Sequence, residues 1–283
     1  MLTRRRFLRN VSFGAVGSTG FAGYGVAGAL DLPGLRSTVI ELGSLPPAWD
    51  GLRIAQISDV HAGPYMPADR MRRVARMVAS TEPDLVVFTG DQMDRRPSDA
   101  RRFVRGFNGM SAPLGVYGIL GNHDHYFDPE ISERALVDAG ITPLVNEARV
   151  FDRGGAELAL IGLEDLNAGA GRAPDFDLLR RFPDAFRLCL SHQPKTWPDA
   201  AAAGAQLTLA GHTHGGQIAL TKRNLNVARF QGRYIAGPYR QDDAVLYVSR
   251  GIGVGAVPLR LGAPPEVDLI VLRRRTASRR LVA

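Results

Sequence analysis

The sequence predicts an α/β fold of layered sheets and helices, on three observations. Short apolar runs rich in β-branched residues recur along the chain, and most stop abruptly at Gly, Asp, Asn or His. Helical stretches fall between the early runs, the clearest from Pro67 to Ser80. No fixed-period repeat and no linker divides the body, so 283 residues with 45% hydrophobic content read as one large core. In such folds ligands collect beyond the strand ends.

Residues 1–29 read as an address and not as part of the fold. Arg4-Arg5-Arg6-Phe7-Leu8-Arg9 precedes an apolar stretch that Gly, Ser and Thr interrupt throughout, too weakly hydrophobic for a good membrane span. The segment resembles a twin-arginine export signal, with Ala27-Gly28-Ala29 as a small-residue cleavage site. That resemblance implies a twin-arginine translocase as partner and a place in the periplasm or cell envelope. The alternatives are a retained anchor or a peripheral place on the cytosolic side of the inner membrane.

The body, residues 30–272, begins with a Pro/Gly-bearing lead-in and a strand over Thr38–Leu42. Leu52–Ile57 alternates and then runs into Ser58-Asp59-Val60-His61. The helix after it places Met71, Val74, Ala75 and Val78 on one face, leaving Arg70, Arg72, Arg73 and Arg76 mostly to solvent. Asp84–Thr89 stops at Gly90-Asp91, and Val116–Leu120 stops at Gly121-Asn122-His123-Asp124. Leu158–Gly162 is a further strand. Leu188–Leu190 leads to Ser191-His192, and Leu207–Ala210 leads to Gly211-His212-Thr213-His214-Gly215-Gly216. Val245–Val248 and Val267–Leu272 complete the strands, and residues 273–283 form a basic tail.

Charge excludes one class of partner. The net charge is +7, with 35 basic and 28 acidic residues, but four arginines lie in the first 29 residues and five in the last eleven. Without those nine the body carries 26 basic residues against 28 acidic, so no specific nucleic-acid partner is expected. The basic tail reads as a solvated segment, with contact to a membrane surface or to nucleic acid as the alternatives. The single cysteine, Cys189, sits in an apolar run and excludes an internal disulfide or a thiolate zinc knuckle.

The polar groups at strand ends are Asp59, His61, Asp91, Asn122, His192, His212 and His214. Oxygen and imidazole donors without thiolate suit Mn, Fe, Zn or Co. Seven donors exceed one tetrahedral zinc and fit two ions sharing a bridging carboxylate. Other readings exist for single residues: Asp59 and Asp91 as loop caps, His192 as a satisfied core histidine, His125 and Tyr126 as surface or supporting positions.

Asp-x-His, Gly-Asp-x-x-Asp-Arg, Gly-Asn-His-Asp, a lone histidine after a strand, and Gly-His-x-His occur here in that order from about Leu52 to Gly216. They resemble the calcineurin-like metallophosphoesterases. The resemblance implies a four-layer α/β/β/α sandwich of two mixed sheets flanked by helices. It also implies two divalent ions (Mn, Fe or Zn, with Mn favoured). Asp59, His61 and His214 would hold the first; Asn122, His192 and His212 the second; Asp91 would bridge. A metal-bridging hydroxide would attack a phosphodiester or diphosphate in line. His123 is implied as general acid or as a donor to the phosphoryl oxygen, Asp94 as the group that orients it, and Arg95 as a phosphate contact, although Arg96-Pro97 follows Arg95 where glycine is usual.

The later blocks, from Gly232-Arg233-Tyr234 to Gly262-Ala263-Pro264-Pro265-Glu266, are similar to a bacterial phosphodiesterase subgroup. Some of its members cleave UDP-2,3-diacylglucosamine. A lipid-linked or nucleotide-linked diphosphate is thus one substrate class implied, and a non-catalytic metal-binding envelope protein is the rival from another class. Arg250 either clamps phosphate or covers the sheet edge, and residues 164–183 form the candidate specificity loop.

Overall fold

A computed structural model describes residues 32–94, 96–169, 171–220, 225–226, 232–255 and 258–275. The export segment, Arg95 and the tail beyond residue 275 lie outside the described residues. The elements run β1 (Gly34–Leu42), β2 (Arg53–Ile57), α1 (Ala68–Ala79), β3 (Leu85–Thr89), α2 (Pro97–Phe107), β4 (Val116–Ile119), α3 (Asn122–Phe127), α4 (Pro129–Asp138), β5 (Thr142–Pro143), β6 (Glu147–Arg153) and β7 (Ala156–Gly162). They continue with α5 (Asp177–Arg180), β8 (Phe186–Leu190), α6 (Trp197–Ala202), β9 (Leu207–Ala210), β10 (Ala219–Leu220), β11 (Leu225–Asn226), β12 (Gly237–Gln241), β13 (Ala244–Val248) and β14 (Glu266–Arg274). Among the described residues no helix is long and apolar enough to cross a membrane.

Two six-stranded sheets result, ordered β1-β14-β2-β3-β4-β5 and β12-β13-β9-β8-β7-β6. Both are mixed. In the first, β14 runs antiparallel to β2 and parallel to β1; in the second, hairpins β6–β7 and β12–β13 flank a parallel centre. Side-chain alternation along the strands sorts the layers. Ile54, Leu85 and Val87 of the first sheet meet Leu188, Leu190 and Leu209 of the second in a core between the sheets. Their strand neighbours Ala55, Ile57, Val86 and Phe88 face outward onto Met71 and Val74 of α1 and Phe103 and Phe107 of α2. On the far side, Ala159, Ile161 and Cys189 pack under α5 and α6. The four-layer α/β/β/α sandwich is therefore present. Both faces of the central strands are covered, which is why they read as unbroken apolar runs.

A titratable polar contact crosses between the sheets. The Tyr247 hydroxyl on β13 donates to Asp268 Oδ1 on β14 at 2.6 Å, and Asp268 Oδ2 has no hydrogen-bond partner. Burial pushes the Asp268 carboxyl up to about 7, with Glu266 adding to the shift. Between its unfolded value of 3.8 and about 7 the native state holds a proton that the unfolded chain releases, so stability falls as pH rises through that window. The loss is at most about 4 kcal/mol. Asp268→Asn should gain stability relative to wild type as pH is raised from 4 to 7, read by denaturant unfolding. A wild-type-to-variant difference that stays constant with pH would assign the titration elsewhere.

Candidate metal centre

The site begins as an extension of the parallel ladder. Beyond β2 and β3 the two chains stay paired: Asp59 N donates to Gly90 O at 3.0 Å, His61 N to Asp91 O at 2.9 Å and Ala62 N to Gln92 O at 2.9 Å. This fixes Asp59 and His61 against Asp91 before any side chain is considered. The second sheet does the same with Gly211 N to His192 O at 3.0 Å. The sheets then meet, because His212 N donates to both oxygens of Asp59, at 2.9 and 3.1 Å.

Backbone conformation marks the same residues. Asp59 (φ 51°), His61 (46°), Asp91 (55°), His212 (71°) and His214 (50°) all occupy the left-handed region. Each such residue costs of order 1–3 kcal/mol and persists only where its surroundings over-determine it. The preceding glycines are dictated by close approach. A Cβ on Gly121 would meet the Asp91 carboxylate, and one on Gly211 would meet Ser58 Oγ and Asp59 Oδ2.

Two groups of ligand atoms result. Asp59, His61 and His214 converge, with His214 Nε2 3.5 Å from Asp59 Oδ1 and 3.1 Å from His61 Nε2. Asp91, His192 and His212 form the other group. Asp91 joins them: its Oδ2 lies 3.6 Å from His61 Nε2 and 3.3 Å from His192 Nε2, while its Oδ1 accepts from His123 N at 2.9 Å. Asn122 is 5% exposed and its Oδ1 has no hydrogen-bond partner.

The electrostatics fit a pair of cations. Burial pushes His61 and His212 down to about 3 and His214 well below its usual value, so all three are neutral donors. Burial also disfavours charge on His192, but the Asp91 carboxylate outweighs it and raises His192 well above 6.5; the same pairing overcomes burial at Asp91 and holds its carboxyl well below the usual range. His192 Nδ1 faces Thr89 O at 2.8 Å, which puts a proton on Nδ1 and turns Nε2 toward Asp91. A proton on Nε2 and a divalent cation answer the same electrostatic demand, so loading an ion displaces that proton. With Asn122 Oδ1 and His192 Nε2 both buried without hydrogen-bond partners, the donor set suits divalent ions.

The remaining sequence candidates fall around this centre. The His123 ring packs edge-on against His61, centroids 4.6 Å apart, and is half-buried. Asp94 lies beside Gly63 on the loop that follows His61. The His125 side chain is buried and bonded to Glu164 Oε1 at 2.8 Å, tying α3 to the loop after β7. Arg250 pairs with Glu266 Oε2 at 2.7 Å, and its aliphatic stem occupies the space a Cβ on Gly215 would need.

Two supporting residues carried no assigned role in the sequence reading. Asp124 is fully buried and accepts from the backbone N–H groups of Gly121, Gln92 and Met93, locking the Asp91 and Asn122 loops together. Its spacing after Gly121, at the third position of a short helix, was the available signal. Arg260 is 2% exposed and places Nη2 3.2 Å from His214 Nδ1. Its other bonds go to main-chain oxygens of the turn after β13 and of Ala263.

The family description "Calcineurin-like phosphoesterase" matches residues 52–216, which hold every candidate ligand. "Uncharacterized metallophosphoesterase YkuE" of Bacillus subtilis (strain 168) is 31% identical over 284 residues, covering 96% of this chain and 98% of its own length. "Transmembrane protein with metallophosphoesterase domain" from Bos taurus and from Danio rerio are 31% and 32% identical over 267 residues. The chain spans only 59% and 60% of the length of those two relatives.

Proposed function

Because the chain belongs to the calcineurin-like phosphoesterase family, and hence to the phosphoric ester hydrolases, we propose that it is a two-metal phosphodiesterase, with manganese as the preferred ion. The observation that supports this reading most directly is Asp91 Oδ2, which lies between His61 of one ligand group and His192 of the other.

Asp59, His61 and His214 would hold one ion, Asn122, His192 and His212 the other, and Asp91 would serve both. When bound, two divalent ions supply a water-derived nucleophile at neutral pH and neutralise the phosphoryl oxygens. The chain's own residues do the rest. Thr89 O keeps His192 in the tautomer that presents Nε2. The Asp91 carboxylate accepts from His123 N and so anchors the first turn of α3 at the mouth of the site. From there the half-exposed His123 imidazole reaches a bound ester and protonates the departing alkoxide.

Hydrolysis of bis-p-nitrophenyl phosphate by the Mn²⁺-loaded protein, abolished by chelator and restored by metal, is the expected result. No metal-dependent turnover would sink the reading. His123→Ala should slow a phenyl or alkyl diester about 100-fold while slowing the p-nitrophenyl diester far less, because nitrophenolate needs no proton. Equal losses for both would remove His123 as general acid. Export through a twin-arginine translocase is proposed from residues 1–29 alone and places this activity in the cell envelope.

A further inference from the structure

A cavity of about 540 Å³ opens beside the second ligand group, lined by His212, Asn167, Pro194, Lys195, Arg233 and Tyr234 among others. That space holds far more than one phosphoryl group and is of the size that takes a small organic ligand. Its walls are positively charged. Lys195 and Arg233 are exposed, and among the described residues neither lies within ion-pair distance of a carboxylate. Among the described residues none that is acidic lines the cavity. The nearby Asp165 is already engaged, both of its oxygens accepting from Gln193 Nε2 at 2.8 and 3.0 Å.

The cationic wall is also held at a fixed offset from the metal ligands. The Arg233 guanidinium lies over the Tyr234 ring, 5.3 Å from its centroid. Tyr234 in turn packs edge-on against Trp197 and Tyr239, with centroids 5.2 and 5.1 Å apart. The Tyr239 hydroxyl accepts from Ile235 N at 2.8 Å, and Thr213 Oγ1, between the two ligand histidines, donates to Ile235 O at 2.6 Å. The residue that separates His212 from His214 is thus bonded directly to the strip that carries Arg233. Two unneutralised cations at a set distance from a phosphoryl-binding centre are a recognition device for a second anion.

We propose that the substrate is a phosphodiester whose organic arm carries a second phosphate, bound by Lys195 and Arg233 while the scissile phosphate sits at the metal centre. This rests on the phosphodiesterase reading and narrows it. The arm is that of a nucleotide or of a lipid head group, which share this chemistry.

Matched substrate pairs test it. Thymidine 5′-(p-nitrophenyl phosphate) is compared with its 3′-phosphorylated form, and glycerophosphoinositol with its 4-phosphate. The Mn²⁺-loaded wild type should favour the doubly phosphorylated member of at least one pair by about tenfold or more in kcat/KM, and the pair that responds identifies the arm. In Lys195→Ala/Arg233→Ala the preference should collapse to about one. No preference in either pair, or a preference that survives the double substitution, overturns the proposal. Binding of thymidine 3′,5′-bisphosphate, measured by calorimetry, should weaken about tenfold more in the double variant than binding of thymidine 5′-monophosphate. This readout needs no turnover. It separates failure of the cavity assignment from failure of the phosphodiesterase reading, which the bis-p-nitrophenyl phosphate assay decides alone.

Discussion

Replacing Asp91 with asparagine is expected to lower kcat/KM for bis-p-nitrophenyl phosphate by roughly three orders of magnitude, about 4 kcal/mol of transition-state stabilisation. The geometry leaves an amide no acceptable orientation. With its nitrogen in the Oδ1 position it faces the His123 N–H, donor against donor, at the site of a 2.9 Å bond. With its nitrogen in the Oδ2 position it faces His61 Nε2 and His192 Nε2 and has no lone pair for a cation. The substitution also removes the charge that holds His192 well above its usual pKa, so the proton released on metal loading should disappear. Metal content and proton release by calorimetry read both effects. Near-wild-type activity with two ions bound would refute the shared role of Asp91.

The second large effect is expected at Arg260. Its Nε donates to Gly253 O at 2.9 Å, Nη1 to Ala263 O at 3.1 Å, and Nη2 to Arg250 O and Gly251 O at 2.9 and 3.2 Å. Burial lowers its pKa to about 10, which leaves it charged at neutral pH. Arg260→Ala strands these carbonyls and should cost about 3–5 kcal/mol of stability. Because Nη2 also lies against His214, affinity for the ion held with Asp59 should fall about 10–100-fold in the protein that remains folded. Arg260→Lys keeps the charge but not the fork, and should lie between the two. A fall in Tm with unchanged metal affinity would reduce Arg260 to a structural role.

Arg260 leaves no mark in the sequence. It stands in Pro258-Leu259-Arg260-Leu261-Gly262, and its partners are mainly main-chain oxygens, which carry no residue-type signal. The ligands are legible for the opposite reason: each is a polar residue at the abrupt end of an apolar run, and that abruptness is the strand end itself. Central strands β2, β3, β4, β8 and β9 were visible because both of their faces are covered. Edge strands were not. From its apolar run β1 reads as beginning at Thr38, whereas it starts at Gly34, where its first residues are exposed; β6, with only Ala148 and Phe151 half-buried among exposed positions, and β12 leave no apolar run to find. Residues 164–183 read as the specificity loop, yet among the described residues Asn167 alone of that stretch lines the large cavity, which is walled mainly by segments after β8 and before β12. Arg250 and His125 were left open in the sequence because their partners, Glu266 and Glu164, are 16 and 39 residues away.

The pairing of β1 sets a timetable for the chain as it is made. β1 pairs along its whole length with β14 and with no other strand of its sheet, Gly34 opposite Glu266 through Leu42 opposite Arg274. At ribosomal speeds of about 5–20 residues per second, roughly 10–50 s separate the emergence of the two. Throughout that interval β1 is a solitary strand, with Leu35 and Val39 on the face that remains exposed even at the end. The first sheet therefore closes late, after the second sheet and both walls of the metal centre have been synthesised.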